Sequence, residues 1–170
     1  MSEPQAPGWE ARLKDMGIEL PETPVPVGSY ALGTRTGNLL FISGQTWKVA
    51  GRTREAGAVP AEVSIERAQI AARNCALACL AEVRALLGSL DPLIQVVRVN
   101  GYVRSSKDFG QQPAVVNGAS DVFREIFGEA GRHARTSIGV AELPDGACVE
   151  IDAIFEVQPE GGISNDHAVG

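Results

Sequence analysis

The sequence predicts an α+β fold, with two helices packed on one face of one sheet in the order β-β-α-β-α-β-β. Three observations predict it. Segments 64–87 and 113–127 repeat apolar residues at steps of three and four, the spacing of a helix with one buried stripe. Leu39-Leu40-Phe41-Ile42 and the alternating residues Val149 to Val157 suit strands. Strands alternate with helices and pair at both ends of the chain, which indicates one layered domain.

The elements follow in order. Trp9, Leu13 and Met16 recur at helical spacing and Gly17 can end the turn, so residues 8–16 read as a short amphipathic helix. It either covers the sheet edge or docks on another subunit. Pro21, Pro24 and Pro26 make an extended linker. Val27–Leu32 and Asn38–Ser43 read as two strands joined around Gly37-Asn38, and the second is apolar enough for burial on both faces. Residues 46–61 read as an irregular loop. Ser64 caps the long helix, Glu66 suits its first turn and Gly88 stops it. Leu93–Val103 is a long strand, with Val97, Val99, Gly101 and Val103 on one face. Pro113 opens the second helix and Gly128 closes it. The expected organisation is thus an N-terminal helix and Pro-rich linker over 1–24, a folded domain over 25–158 and a flexible polar tail over 159–170.

Composition narrows the function. A net charge of −6 and a pI near 5.0 lack the basic footprint of nucleic-acid binding, so a nucleic-acid partner is not expected. No apolar run is long enough to span a bilayer, and residues 1–10 lack the basic region and apolar core of a signal peptide. A cytoplasmic location and no membrane partner are expected. Cys75 and Cys79 sit four apart on the long helix among alanines, which suits packing more than chemistry. Neither of the two histidines has a metal-ligand spacing partner, so no metal is expected.

The chemistry concentrates in 133–157. Leu143-Pro144-Asp145-Gly146 suits a type I turn and predicts a hairpin. If Leu143 pairs with Gly146, Ser137 faces Asp152, Gly139 faces Glu150 and Arg135 faces Ile154. Period-two alternation then puts Arg135, Ser137, Gly139, Glu150 and Asp152 on one face, with a hollow over Gly139 beside Glu150. A fixed cation that grips carboxylates, next to a carboxylate that activates water, suggests a site for a small acid and a hydrolytic step. A solvated polar face on an amphipathic hairpin is the alternative.

Several motifs then stand in a telling order: Gly28-Ser29-Tyr30, Gly37 to Gln45, Asp108-Phe109 with Val116-Asn117, Ala134-Arg135, Leu143-Pro144 and Val149 to Ile154. Over residues 25–157 the chain resembles the RidA/YjgF family, also called the L-PSP endoribonuclease family. The resemblance implies a chorismate-mutase-like homotrimer with ligand clefts between subunits. It implies hydrolytic deamination of small carboxylate-bearing enamines and imines to 2-keto acids and ammonia, with no cofactor. By motif position, Arg135 holds the substrate carboxylate and Glu150 positions or activates water. Tyr30, Ser43, Gly44 and Asn117 line the cleft, and Ser137 stands where the family commonly has a cysteine that helps bind ligand. Thr46-Trp47 replaces the usual Ile-Pro, and the stretch around Gln111-Gln112-Pro113 is lengthened. These departures touch the cleft and open the way to a different substrate. A non-catalytic small-acid binding or sensor protein is the main alternative. Endoribonuclease activity, suggested by the family name, is the weakest reading for an acidic chain without a His pair.

Overall fold

A computed structural model describes residues 8–23 and 29–159. Pro24, Pro26, Val27 and Gly28, and the tail from residue 160, lie outside the described residues. The chain runs α1 (Trp9–Asp15), β1 (Gly33–Thr36), β2 (Leu39–Thr46), β3 (Lys48–Val49), β4 (Arg52–Thr53), α2 (Ile65–Leu87), β5 (Leu93–Arg104), α3 (Gln112–Phe127), β6 (Ala134–Val140) and β7 (Val149–Val157). Five strands form one sheet in the order β1-β2-β7-β5-β6, and β3 and β4 form a separate two-stranded ribbon. Helix α2 packs over β2 and β7, and α3 over β5 and β6, so both helices cover the same face.

The two helices form where expected and for the expected reasons. The Ser64 hydroxyl accepts from the Arg67 amide, and Gly88 closes α2 in the left-handed region at φ 79°. Pro113 lies in the first turn of α3. The helices touch at Gly118, where any Cβ would strike the Gln69 carbonyl of α2. Cys75 and Cys79 face inward, with Sγ atoms 3.7 Å and 3.5 Å from the Val149 and Ile151 carbonyls. Burial pushes both thiols up, so they pack and do not ionise.

Helix α1 belongs to the same core. Leu13 is buried, Trp9 Nε1 donates to the Leu93 carbonyl at 2.8 Å, and the Trp9 ring meets Phe127 edge-on at 5.0 Å. Glu10 accepts from Arg84 Nε at 3.0 Å and Nη2 at 2.7 Å, and from the Leu90 amide at 2.9 Å. The helix therefore seals one end of its own helical layer.

Four expectations need correction. Among the described residues the first strand is Gly33–Thr36, and residues 29–32 of the expected 27–32 strand are not in one; an edge strand with one covered face needs few apolar residues. Strand β2 is buried on one face: Leu40 and Ile42 are covered while Phe41 is 40% exposed. A bulge between Val96 and Arg98 puts Val96, not Val97, into the core. The largest correction concerns the final hairpin, which does not form. Strand β6 pairs parallel with β5 at the sheet edge, and β7 runs antiparallel between β5 and β2. The turn residues are held elsewhere: the Gly57 amide donates to the Gly146 carbonyl at 2.9 Å and the Cys148 amide to the Glu55 carbonyl at 3.0 Å. β5-α3-β6 is a strand-helix-strand crossover, which makes parallel neighbours. Strand β7, apolar on its inner face, takes the central slot.

Candidate functional site

The register decides which side chains meet. Arg135 lies opposite Val99 and Ser137 opposite Gly101 across β5–β6, so both point to the helix-covered face. Glu150 lies opposite Tyr102, and Asp152 opposite Asn100, on the open face. The expected shared face of Arg135, Ser137, Glu150 and Asp152 is therefore wrong within one chain, because the hairpin that implied it is absent. Gly139 also leaves Glu150 and sits against Gln112 and Ser105 at the start of α3.

On the helix side, Arg135 is held from below. Its Nη1 donates to Asn117 Oδ1 at 2.8 Å and to Ser120 Oγ at 3.0 Å. His133 Nδ1 lies 2.7 Å from the Gly131 carbonyl, which can only accept, so Nδ1 carries the proton. His133 Nε2 then accepts from the Ser120 hydroxyl at 3.0 Å. Arg135, Ser120, His133 and Gly131 form one chain of donors and acceptors. Burial lowers the His133 pKa, the Gly131 carbonyl opposes that, and Arg135 adds to it. Engaging Nη1 leaves the Nε–Nη2 edge of Arg135 for a ligand carboxylate. Arg135 lines a cavity of about 260 Å³ together with Asn117, Ser120, Asp121, Arg124, Arg132 and His133. The Ser137 hydroxyl, two residues along, is buried without a hydrogen-bond partner.

On the open face, the β2 bulge after Ile42 places Ser43 and Gly44 beside β7. Gly44 leaves the Glu150 carboxylate its place: a Cβ there would strike that carboxylate and force it to move. Among the described residues none donates a hydrogen bond to Glu150. Its pKa is raised, first by burial and then by Asp152, while Lys48 pulls the other way. Asp152 is fully engaged, accepting from Asn100 Nδ2 at 2.7 Å and from the Tyr102 hydroxyl at 2.8 Å. Burial and then Asp152 push Tyr102 up to about 12. The Ser43 hydroxyl donates to the Ala31 carbonyl at 2.8 Å and the Ser43 amide to Leu32 at 2.9 Å. Ser43 thus anchors the segment that carries Tyr30, a residue that is 55% exposed.

The structure brings Arg135 together with Asn117 on the helix-covered face and Glu150 together with Gly44 on the open face, and it keeps the two groups apart; Ser43 stands next to Gly44 and bonds to Ala31 and Leu32. Sequence reasoning missed Ser120, Arg124 and Arg132. Ser120 and Arg124 follow Asn117 at three and seven residues, a helical stripe that was available once Asn117 was chosen. No group of His, Cys, Asp or Glu among the described residues could hold a metal ion. No helix among them is long and apolar enough to cross a membrane.

A five-stranded mixed sheet with two long helices on one face is the YjgF/chorismate-mutase-like arrangement. The family model described as "YjgF/chorismate mutase-like, putative endoribonuclease" matches residues 10–156, and the chain belongs to this YjgF family. Protein TCP17 of Trypanosoma cruzi is 42% identical over 148 residues, covering 86% of this chain and 92% of that one. A protein of Dermatophagoides farinae named 2-iminobutanoate/2-iminopropanoate deaminase is 35% identical over 142 residues, covering 83% and 95%. The crystal structure of Atu1372, a protein with unknown function from Agrobacterium tumefaciens, superposes with a TM-score of 0.80 at 42% identity, covering 88% and 93%.

Proposed function

We propose that this chain hydrolyses small carboxylate-bearing imines and enamines to 2-keto acids and ammonia, at sites assembled between the copies of a homotrimer. The bracing of Arg135 through Nη1 by Asn117 and Ser120, in the wall of a cavity, carries the reading. A guanidinium fixed in this way suits bidentate capture of a carboxylate. Arg135 and Glu150 occupy opposite faces, so a cleft that uses both takes Arg135 from one copy and Glu150 from the next. A heterologous contact of that kind closes into a ring of three when successive copies are related by a third of a turn. The open face also leaves Phe41 and Ile138 40% and 44% exposed, apolar surface that a neighbouring copy would cover. The relative named as an iminobutanoate/iminopropanoate deaminase supports the reaction class.

The chemistry needs no cofactor. Water adds to the iminium carbon as Glu150 takes a proton from it. Glu150 then returns that proton to the carbinolamine nitrogen and takes the hydroxyl proton as the C–N bond breaks and the C=O bond forms, so ammonia leaves and the 2-keto acid remains. Arg135 fixes the carboxylate beside the reacting carbon. Tyr30 closes over the ligand, Ser43 and Gly44 shape the wall around Glu150, and the unpaired Ser137 hydroxyl offers a further hydrogen bond. Imines hydrolyse unaided, so positioning and charge suffice for a useful rate gain.

A second reading rests on a specific observation: the Arg135 cavity of one chain holds no Glu150. A small-acid binding protein needs only that cavity. Imines generated by an amino-acid oxidase, with decay followed through trapped adducts, separate the two. The hydrolase reading expects faster decay with wild type. Glu150→Gln then keeps 2-keto acid affinity and loses about 10²–10⁴-fold in rate. Binding of 2-keto acids without any acceleration would move the assignment to the binding protein.

A further inference from the structure

The Arg135 cavity carries more positive charge than one carboxylate requires. Three of the chain's 15 basic residues line it, Arg124, Arg132 and Arg135, against one of its 21 acidic residues, Asp121. In a chain of net charge −6 this is a local reversal of sign, which raises anion concentration at the cavity mouth. His133 adds no charge near neutrality, since burial lowers its pKa. The cations are therefore the three arginines, charged at any working pH.

Their engagements differ. Arg135 is braced at Nη1 by Asn117 and Ser120. Arg132 meets only Glu129, at 3.3 Å, in a pair that is 68% and 86% exposed and contributes little. Arg124 has no hydrogen bond or ion pair from its side chain to any described residue. Arg124 stands one turn beyond Ser120 on α3, and Arg132 stands before His133 where the chain enters β6. The wall thus presents one oriented arginine and two with free donors. At about 260 Å³ the cavity is smaller than drug-sized sites of roughly 300–1,000 Å³, which suits a compact metabolite.

We propose that this site takes a dianionic substrate, a dicarboxylic imino acid, with Arg135 gripping the carboxylate beside the reacting carbon and Arg132 with Arg124 holding the distal one. The inference rests on the carboxylate-binding reading of Arg135 above and adds the class of substrate. A monocarboxylate would leave Arg124 without a bonded anion and Arg132 with only its exposed Glu129. A dicarboxylate converts both into charge-assisted hydrogen bonds.

The test compares two five-carbon 2-keto acids that differ only at the far end. 2-Oxoglutarate ends in a carboxylate and 2-oxopentanoate in a methyl group. Calorimetric titration of the full-length protein at low salt is expected to show 2-oxoglutarate binding at least about tenfold more tightly. The preference is expected to collapse toward one in the Arg124→Gln, Arg132→Gln double variant and to survive in part in the double Lys variant. Equal affinity of wild type for the two acids overturns the dianion inference and leaves the Arg135 reading standing. A preference that survives unchanged in the double Gln variant overturns it as well. Failure of both acids to bind wild type overturns the inference together with the Arg135 reading.

Discussion

Arg135 and Glu150 leave opposite faces of one sheet. Arg135 lies across from Val99, under α3, and Glu150 lies across from Tyr102, on the face without helices. The backbone of the sheet stands between them, so side-chain rotation cannot bring them together. Each also has its own support: Asn117 and Ser120 brace the guanidinium, and Gly44 makes room for the carboxylate. Chemistry that uses both residues therefore requires two copies of the chain.

Asn117 is the cleanest probe of the guanidinium's orientation. Asn117→Ala keeps the charge of Arg135 and removes one of its two anchors. A hydrogen bond to a charged group is worth about 1.5–3 kcal/mol, part of which Ser120 still supplies. The affinity for 2-keto acids is expected to fall about three- to tenfold by calorimetry. Arg135→Lys is expected to lose more, since lysine lacks the planar fork. Unchanged affinity in both would show that no bidentate grip exists.

Gly44 probes the surroundings of Glu150. A methyl group at Gly44 occupies the position of the Glu150 carboxylate and displaces it. Gly44→Ala is expected to lower imine turnover nearly as far as Glu150→Gln, while 2-keto acid affinity stays close to wild type. Turnover equal to wild type in Gly44→Ala would mean that the position of Glu150 does not matter to the reaction.

The success and failure of sequence reasoning had different physical sources. Helix α2 was legible because Ser64, Gly88 and the apolar stripe are local signals, and all three act in the structure. The apolar inner face of β7 was legible for the same reason. The partner of β6 was not. Pro144-Asp145-Gly146 is a strong local turn signal, but it forms a single 3₁₀ turn with Asp145 at φ 55°. Its ends are claimed by Glu55 and Gly57, about ninety residues away in sequence. The strand-helix-strand order of β5, α3 and β6 already implied a parallel pair. The shared face expected for Arg135 and Glu150 followed from a hairpin that does not form, so the two side chains stand on opposite faces of the sheet.

Glu82 makes a stability prediction. It is fully buried on α2 and neither carboxylate oxygen has a partner. Burial raises its pKa from 4.5 to about 7. A pKa raised in the folded state favours the protonated form, so the contribution is full below about pH 4.5 and is lost as pH rises through about 7. Glu82→Gln should therefore gain on wild type by on the order of 2 kcal/mol between pH 5 and pH 8. Chemical denaturation of both proteins at the two pH values measures it. A gap that does not change with pH would show that Glu82 ionises as easily folded as unfolded.

Mixed assembly tests the central claim most directly. Arg135→Ala and Glu150→Gln proteins, each inactive alone, are unfolded together, refolded as a mixture and assayed for imine hydrolysis, with light scattering to verify trimers. If each site draws Arg135 from one copy and Glu150 from the next, the mixture recovers about a quarter of wild-type activity, since only interfaces with both intact residues work. A mixture of verified trimers that stays as inactive as its parents would contradict a site shared between copies.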